Sequence, residues 1–85
     1  MKIIYSPRFF KEYKKLPLKI KSLAEKKEEL FRNNLNHPSL KTHKLIGKLN
    51  DFYTFSINYQ YRIVFHYENK TTIAFDNIGT HRIYK

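Results

Sequence analysis

The sequence predicts an α+β fold in which an N-terminal strand and a two-helix hairpin pack on a mostly antiparallel sheet, in the order β-α-α-β-β-β. Three observations predict it. Apolar residues recur at helical spacing from Phe9 to Phe31, they alternate with polar ones from Asp51 to Ile78, and only short polar turns interrupt the alternating part. The first element is "KIIY", Lys2 to Tyr5, short and β-branched. Ser6 and Pro7 then supply an N-cap and a first helical residue. Phe9, Phe10, Tyr13 and Leu16 make the buried stripe of the first helix, which ends where Pro17 disfavours a helical conformation at Leu16. The second helix runs to about Asn33 with Ile20, Leu23, Ala24, Leu30 and Phe31 inward and Lys27 reaching outward along its stem.

After the polar loop "NNLNHPSLKTH" come three strands, "DFYTFSI", "YRIVFHY" and "TTIAFDNI", joined by turns at Asn58-Tyr59-Gln60 and Glu68-Asn69-Lys70. In the middle strand Tyr61, Ile63, Phe65 and Tyr67 face the helices, while Arg62, Val64 and His66 face away. Thr54 and Ser56 join that second face if the register permits. The expected organisation is one domain, residues 1–85, with one modest core.

Composition narrows the function. The formal net charge is +10, and it is concentrated: residues 1–50 hold 13 Lys and Arg against 4 acids, residues 51–85 only 4 against 3. Such a bias points to a polyanion, RNA or DNA, or to an acidic protein that masks the surface, with a merely solvated basic face as the plain alternative. No cysteine is present, so a disulfide frame, a thiolate nucleophile and cysteine zinc sites are excluded, and a reducing compartment fits. The N-terminal stretch has no signal-peptide apolar region and no run suits a membrane span. A cytoplasmic location without membrane contact is expected.

Four stretches in this order, "HPSLKTHKLIGKL", "DFYTFSI", "YRIVF" and the ending "IGTHRIY", resemble the RelE/ParE superfamily of small basic toxins from type II toxin–antitoxin pairs. The resemblance covers nearly the whole chain and is strongest to the RelE-like mRNA interferases, including their YafQ-like branch. It implies a ribosome-dependent endoribonuclease that cuts mRNA in the A site, stops translation, and is silenced by an acidic antitoxin. Operator DNA would be met only through that antitoxin. Two alternatives remain: a ParE-like toxin that inhibits DNA gyrase, and an inactive basic module that binds nucleic acid or antitoxin.

RNA cleavage without a metal or other cofactor needs a base for the 2′-hydroxyl proton, cationic donors at the phosphate, and an acid for the leaving 5′-oxygen. An unperturbed histidine can gain or lose a proton near neutrality, which makes His81 the first candidate for base or acid; Arg62 offers a permanently charged planar fork for the phosphate. Tyr84, three residues beyond His81, is a candidate to orient the phosphate or stack on a base. His43 matches a histidine of the YafQ-like branch and would be a second proton carrier, with Lys41, Lys44 and Lys48 holding RNA backbone. The structural alternatives are a salt bridge from Arg62 to Asp76 or Glu68 and edge packing for Tyr84. His37 and His66 read as structural or exposed, and Arg82 has no assigned role. Thr54 and Ser56 stand where RelE carries lysines; Ser56 and Gln60 stand about where the YafQ-like branch has a histidine and an aspartate. The implied site is therefore either a reduced hybrid of His43, Arg62, His81 and Tyr84 or a weakened one.

Overall fold

A computed structural model describes residues 1–47, 51–80 and 82. The elements are β1 (Lys2–Tyr5), α1 (Pro7–Lys14), α2 (Leu18–Asn33), a 3-10 turn (Pro38–Leu40), β2 (His43–Lys44), β3 (Tyr53–Ser56), β4 (Tyr61–Tyr67) and β5 (Thr72–Thr80). The strands form one sheet in the order β1-β5-β4-β3-β2, with β1 parallel to β5 and every other pair antiparallel. The expected two-helix, mostly antiparallel fold is present. It differs from the expectation in one added strand, β2, which begins at His43, the last residue of the stretch read as a loop.

Both helix starts are set locally. Ser6 Oγ accepts from Phe9 N at 2.9 Å and donates to the Asp76 carbonyl at 2.8 Å, so the cap of α1 is also its tie to β5. Pro17 then opens α2, and its carbonyl accepts from Ile20 N at 2.9 Å. The helices cover one face of the sheet. At the centre Phe31 of α2 stacks on Phe55 with ring centroids 4.5 Å apart and meets Phe65 and Phe75 edge-on at 5.1 and 5.7 Å. All four rings are fully buried. Four phenylalanines from one helix and three adjacent strands thus fix the helix layer against the sheet.

One expected core residue is outside. Phe10 is 54% exposed, because α1 is only eight residues long and turns Phe9 toward the sheet; the Phe10 ring packs sideways against Tyr5 and Phe9. Lys27 behaves as expected, its stem half-buried and its ammonium donating to Ser39 Oγ at 3.4 Å.

A bulge in β5 decides which side chains share a face. Val64 pairs with Asn77 and Phe65 with Phe75, so Asp76 is the extra residue. Phe75 and Ile78 are three apart and would otherwise point to opposite faces, yet both are buried in the main core. The backbone N–H of Ile78 donates to Glu12 Oε1 at 3.0 Å, which fastens α1 to the strand beyond the bulge.

Asp76 meets His66. Its carboxylate lies 2.7 Å from His66 Nδ1, and Glu68 lies 2.6 Å from Nε2 on the other side of the ring. Burial alone would lower the imidazole's pKa, but the two hydrogen bonds and two negative charges outweigh it and raise it above 6.5. Burial, opposed by His66, also raises Asp76. Both shifts favour a proton in the pair. His66 therefore closes the β4–β5 hairpin electrostatically.

Two outcomes follow for stability. Phe31→Ala should cost about 3–5 kcal/mol in urea unfolding, while Phe10→Ala should change it little. Because folded His66 holds its proton more tightly than unfolded histidine, its contribution is complete below pH 6.5 and is lost as pH rises through the folded pKa. Thermal unfolding of His66→Gln should accordingly trail the parent protein at pH 6 and approach it at pH 9.

Candidate RNA-facing site on the helix-free face

Strand register builds the site. Ser56 pairs with Arg62 and Arg62 with Gly79, forming one row across β3, β4 and β5; His43 pairs with Thr54 and Thr54 with Val64, forming the next. Directly paired residues share a face, and these rows lie opposite the buried row of Phe55, Ile63 and Ile78. Thr54 and Ser56 therefore do join Arg62, as the alternation suggested. They are not open to solvent, however: Thr54 is fully buried and Ser56 nearly so.

Arg62 is held from the side. Its Nη1 donates to Ser56 Oγ in a short hydrogen bond, and its Nε is buried without a hydrogen-bond partner among the described residues. The acids considered as its salt-bridge partners, Asp76 and Glu68, are both taken by His66. No ion pair to Arg62 occurs among the described residues. A guanidinium that keeps its charge, is anchored by a neutral hydroxyl, and has no carboxylate beside it retains its attraction for an outside anion. Its direct partner on β5 is Gly79, which sets no side chain opposite it.

His43 stands exposed at the sheet edge. Its Nδ1 lies 3.1 Å from the Lys41 carbonyl, and since a carbonyl only accepts, Nδ1 carries the proton. In the neutral ring Nε2 is then left with its lone pair toward solvent. Lys41 supplies that carbonyl from a left-handed conformation, φ 50°, that ends the 3-10 turn. Ideal sheet geometry puts the His43 and Arg62 Cα atoms roughly 12 Å apart, two strand spacings across and two residues along. Side chains of their lengths can converge on one phosphate from that separation.

Lys41 and Lys44 are exposed beside His43, as a backbone-binding role requires. Lys48, His81 and Tyr84 lie outside the described residues. β5 runs on to Thr80, two residues past the expected strand end, and leads the chain to position 81 from the Arg62 row. What the sequence reading missed was Ser56 as the anchor of Arg62, although the i, i+2 spacing of Thr54 and Ser56 on a strand had already put both on this face. It also missed the pairing of His66. Those acids sit on opposite ring nitrogens, so one metal ion cannot touch all three groups, and among the described residues no cluster suits a metal. No helix among the described residues is long and apolar enough to cross a membrane.

Comparison with known proteins places this geometry. No curated protein matches the sequence. Among solved structures, YafQ from E. coli strain BL21(DE3) superposes with a TM-score of 0.80 at 19% identity, over 96% of this chain and 94% of that one. YafQ in the E. coli DinJ–YafQ toxin–antitoxin complex gives 0.77 at 20%, over 95% and 92%. The YoeB–YefM complex from Staphylococcus aureus gives 0.74 at 24%, over 95% and 97%. At these identities the likeness establishes the RelE-like fold. The family model for the RelE-like toxin of the type II toxin–antitoxin system HigB matches residues 5–78, and the chain belongs to that HigB-like toxin family.

Proposed function

We propose that the protein is the toxin of a type II pair and acts as a ribosome-dependent mRNA endonuclease, cutting the message in the A site and stopping translation. The observation that carries this reading is the anchored, acid-free guanidinium of Arg62 on the helix-free face. In the reaction the 2′-oxygen of one nucleotide attacks the adjacent phosphorus; the O2′–P bond forms and the P–O5′ bond breaks. One proton carrier takes the 2′-hydroxyl proton and another returns a proton to the 5′-oxygen. His81 and His43 fill these two roles, His43 through Nε2. Arg62 stabilises the charge that grows on the non-bridging oxygens, and Tyr84 orients the phosphate.

Lys41, Lys44 and Lys48 hold the RNA backbone. Alignment by the ribosome lightens the demand on the side chains, since positioning alone is worth several kcal/mol. That matters here because Thr54 and Ser56 are neutral. The partner is an acidic antitoxin, encoded with the toxin, that covers part of the +10 surface. Neighbouring folds of this kind occur in complexes with DinJ and YefM.

The test is direct. Purified protein added to programmed ribosomes should give discrete mRNA 3′ ends within the A-site codon by primer extension, and His81→Ala should abolish them. An uncut message at saturating protein contradicts the reading, and inhibition of gyrase supercoiling would then support the gyrase alternative.

A further inference from the structure

A cavity of about 180 Å³ opens between α1 and α2, on the side of the sheet away from Arg62. Its walls are the rings of Tyr5, Phe9, Phe10 and Tyr13 together with Glu25 and Glu28, and the buried Ile63 and Ile78 of the sheet lie at its base. Neighbouring ring centroids are 5.5 to 6.5 Å apart. Phe10 and Glu25, both exposed, stand at its mouth. The charge here runs against that of the chain, for none of the 17 Lys and Arg lines the cavity while two of the 7 acids do. Glu28 is already engaged: Tyr5 Oη donates to it in a short hydrogen bond, and Arg32 Nη2 lies 3.4 Å away. Glu25 is not. It accepts from Tyr13 Oη at 3.3 Å and makes no ion pair among the described residues. Burial, and then these glutamates, raise both phenols above 10, so they remain protonated donors and the carboxylates carry the charge. An ammonium already lies against one of the wall rings, Lys21 Nζ being 5.8 Å from the Tyr13 centroid.

We propose that this cavity binds a free, small alkylammonium ion, with its methyl groups among the four rings and its charge toward Glu25. The faces of aromatic rings are the negative part of their quadrupole and attract a cation, more strongly where water is excluded. Quaternary ammonium groups suit such walls, because their charge is spread over apolar methyls. A neutral ligand would leave Glu25 unpaired. Size narrows the class further: a cavity of roughly 150 Å³ holds one benzene, so this one suits an ion of about seven non-hydrogen atoms rather than a peptide segment. The +10 charge of the chain is no bar, since at 0.15 M salt charges more than about 8 Å from the mouth are largely screened. The site goes beyond the RNA-cleaving reading and does not depend on it.

Choline and its neutral isostere, in which a quaternary carbon replaces the nitrogen, separate charge from shape in an NMR titration of the full chain at physiological salt. Choline should bind at least about tenfold more tightly than the isostere and should move the ring resonances of Tyr5, Phe9, Phe10 and Tyr13. Glu25→Gln and Phe10→Leu should each weaken choline by about fivefold. Both positions are exposed, so neither change empties the core. Glu29→Gln, the same charge change at an exposed position of α2 that does not line the cavity, should leave binding as it is. Equal affinity for choline and the isostere, ring resonances unmoved by excess choline, or a Glu29→Gln effect as large as that of Glu25→Gln would overturn the site. Lysine with both ends capped presents an ammonium as a partner protein would; binding tighter than that of choline would overturn the free-ion assignment.

Discussion

The stack of Phe31 on Phe55, flanked edge-on by Phe65 and Phe75, is the contact on which the remaining structure depends. It joins the longest helix to three neighbouring strands in a chain of 85 residues, where a small core has little redundancy. Its placement has a second effect. With both helices committed to one face of the sheet, everything at alternate positions is left for the other face, and the chemistry-bearing residues of β3 and β4 are gathered there.

That second face is assembled at some cost. Thr54 Oγ1 and Arg62 Nε are buried without partners among the described residues, and an unpaired buried donor or hydroxyl is destabilising by about 1–3 kcal/mol. A fold selected for stability alone would fill these positions with aliphatic side chains. The arrangement makes sense if the guanidinium is needed with its charge unneutralised, and the pairing of both nearby acids with His66 removes the carboxylates that would have neutralised it. The acid-paired His66 and the acid-free guanidinium of Arg62 are thereby separated along one strand, at opposite ends of β4.

Much of this was legible in the sequence, for identifiable reasons. The residues of β4 coincide with the alternating run from Tyr61 to Tyr67, and its inward and outward sets are as the period of two demands. The ends of α2 follow from Pro17 and the polar run after Asn33. β2 was not legible: two residues, His43 and Lys44, carry no periodicity and become a strand only by pairing with β3. Phe10 misled because an eight-residue helix has too few turns for its stripe to be averaged correctly. The bulge at Asp76 was hidden as well, since it is visible only in the register that keeps Phe75 and Ile78 on one face. Ser56 looked like a missing cation rather than the anchor of one, because the bond from Arg62 requires the β3–β4 register to be known.

The proposed function requires Arg62 as a charge held for the phosphate rather than for the fold. Single-turnover cleavage of ribosome-bound mRNA by Arg62→Ala, with its urea stability measured alongside, tests that most directly. The expected result is a loss of at least about 100-fold in the cleavage rate with stability unchanged or increased. A variant that cuts within twofold of the parent rate, or one that loses activity only because it unfolds, would contradict it.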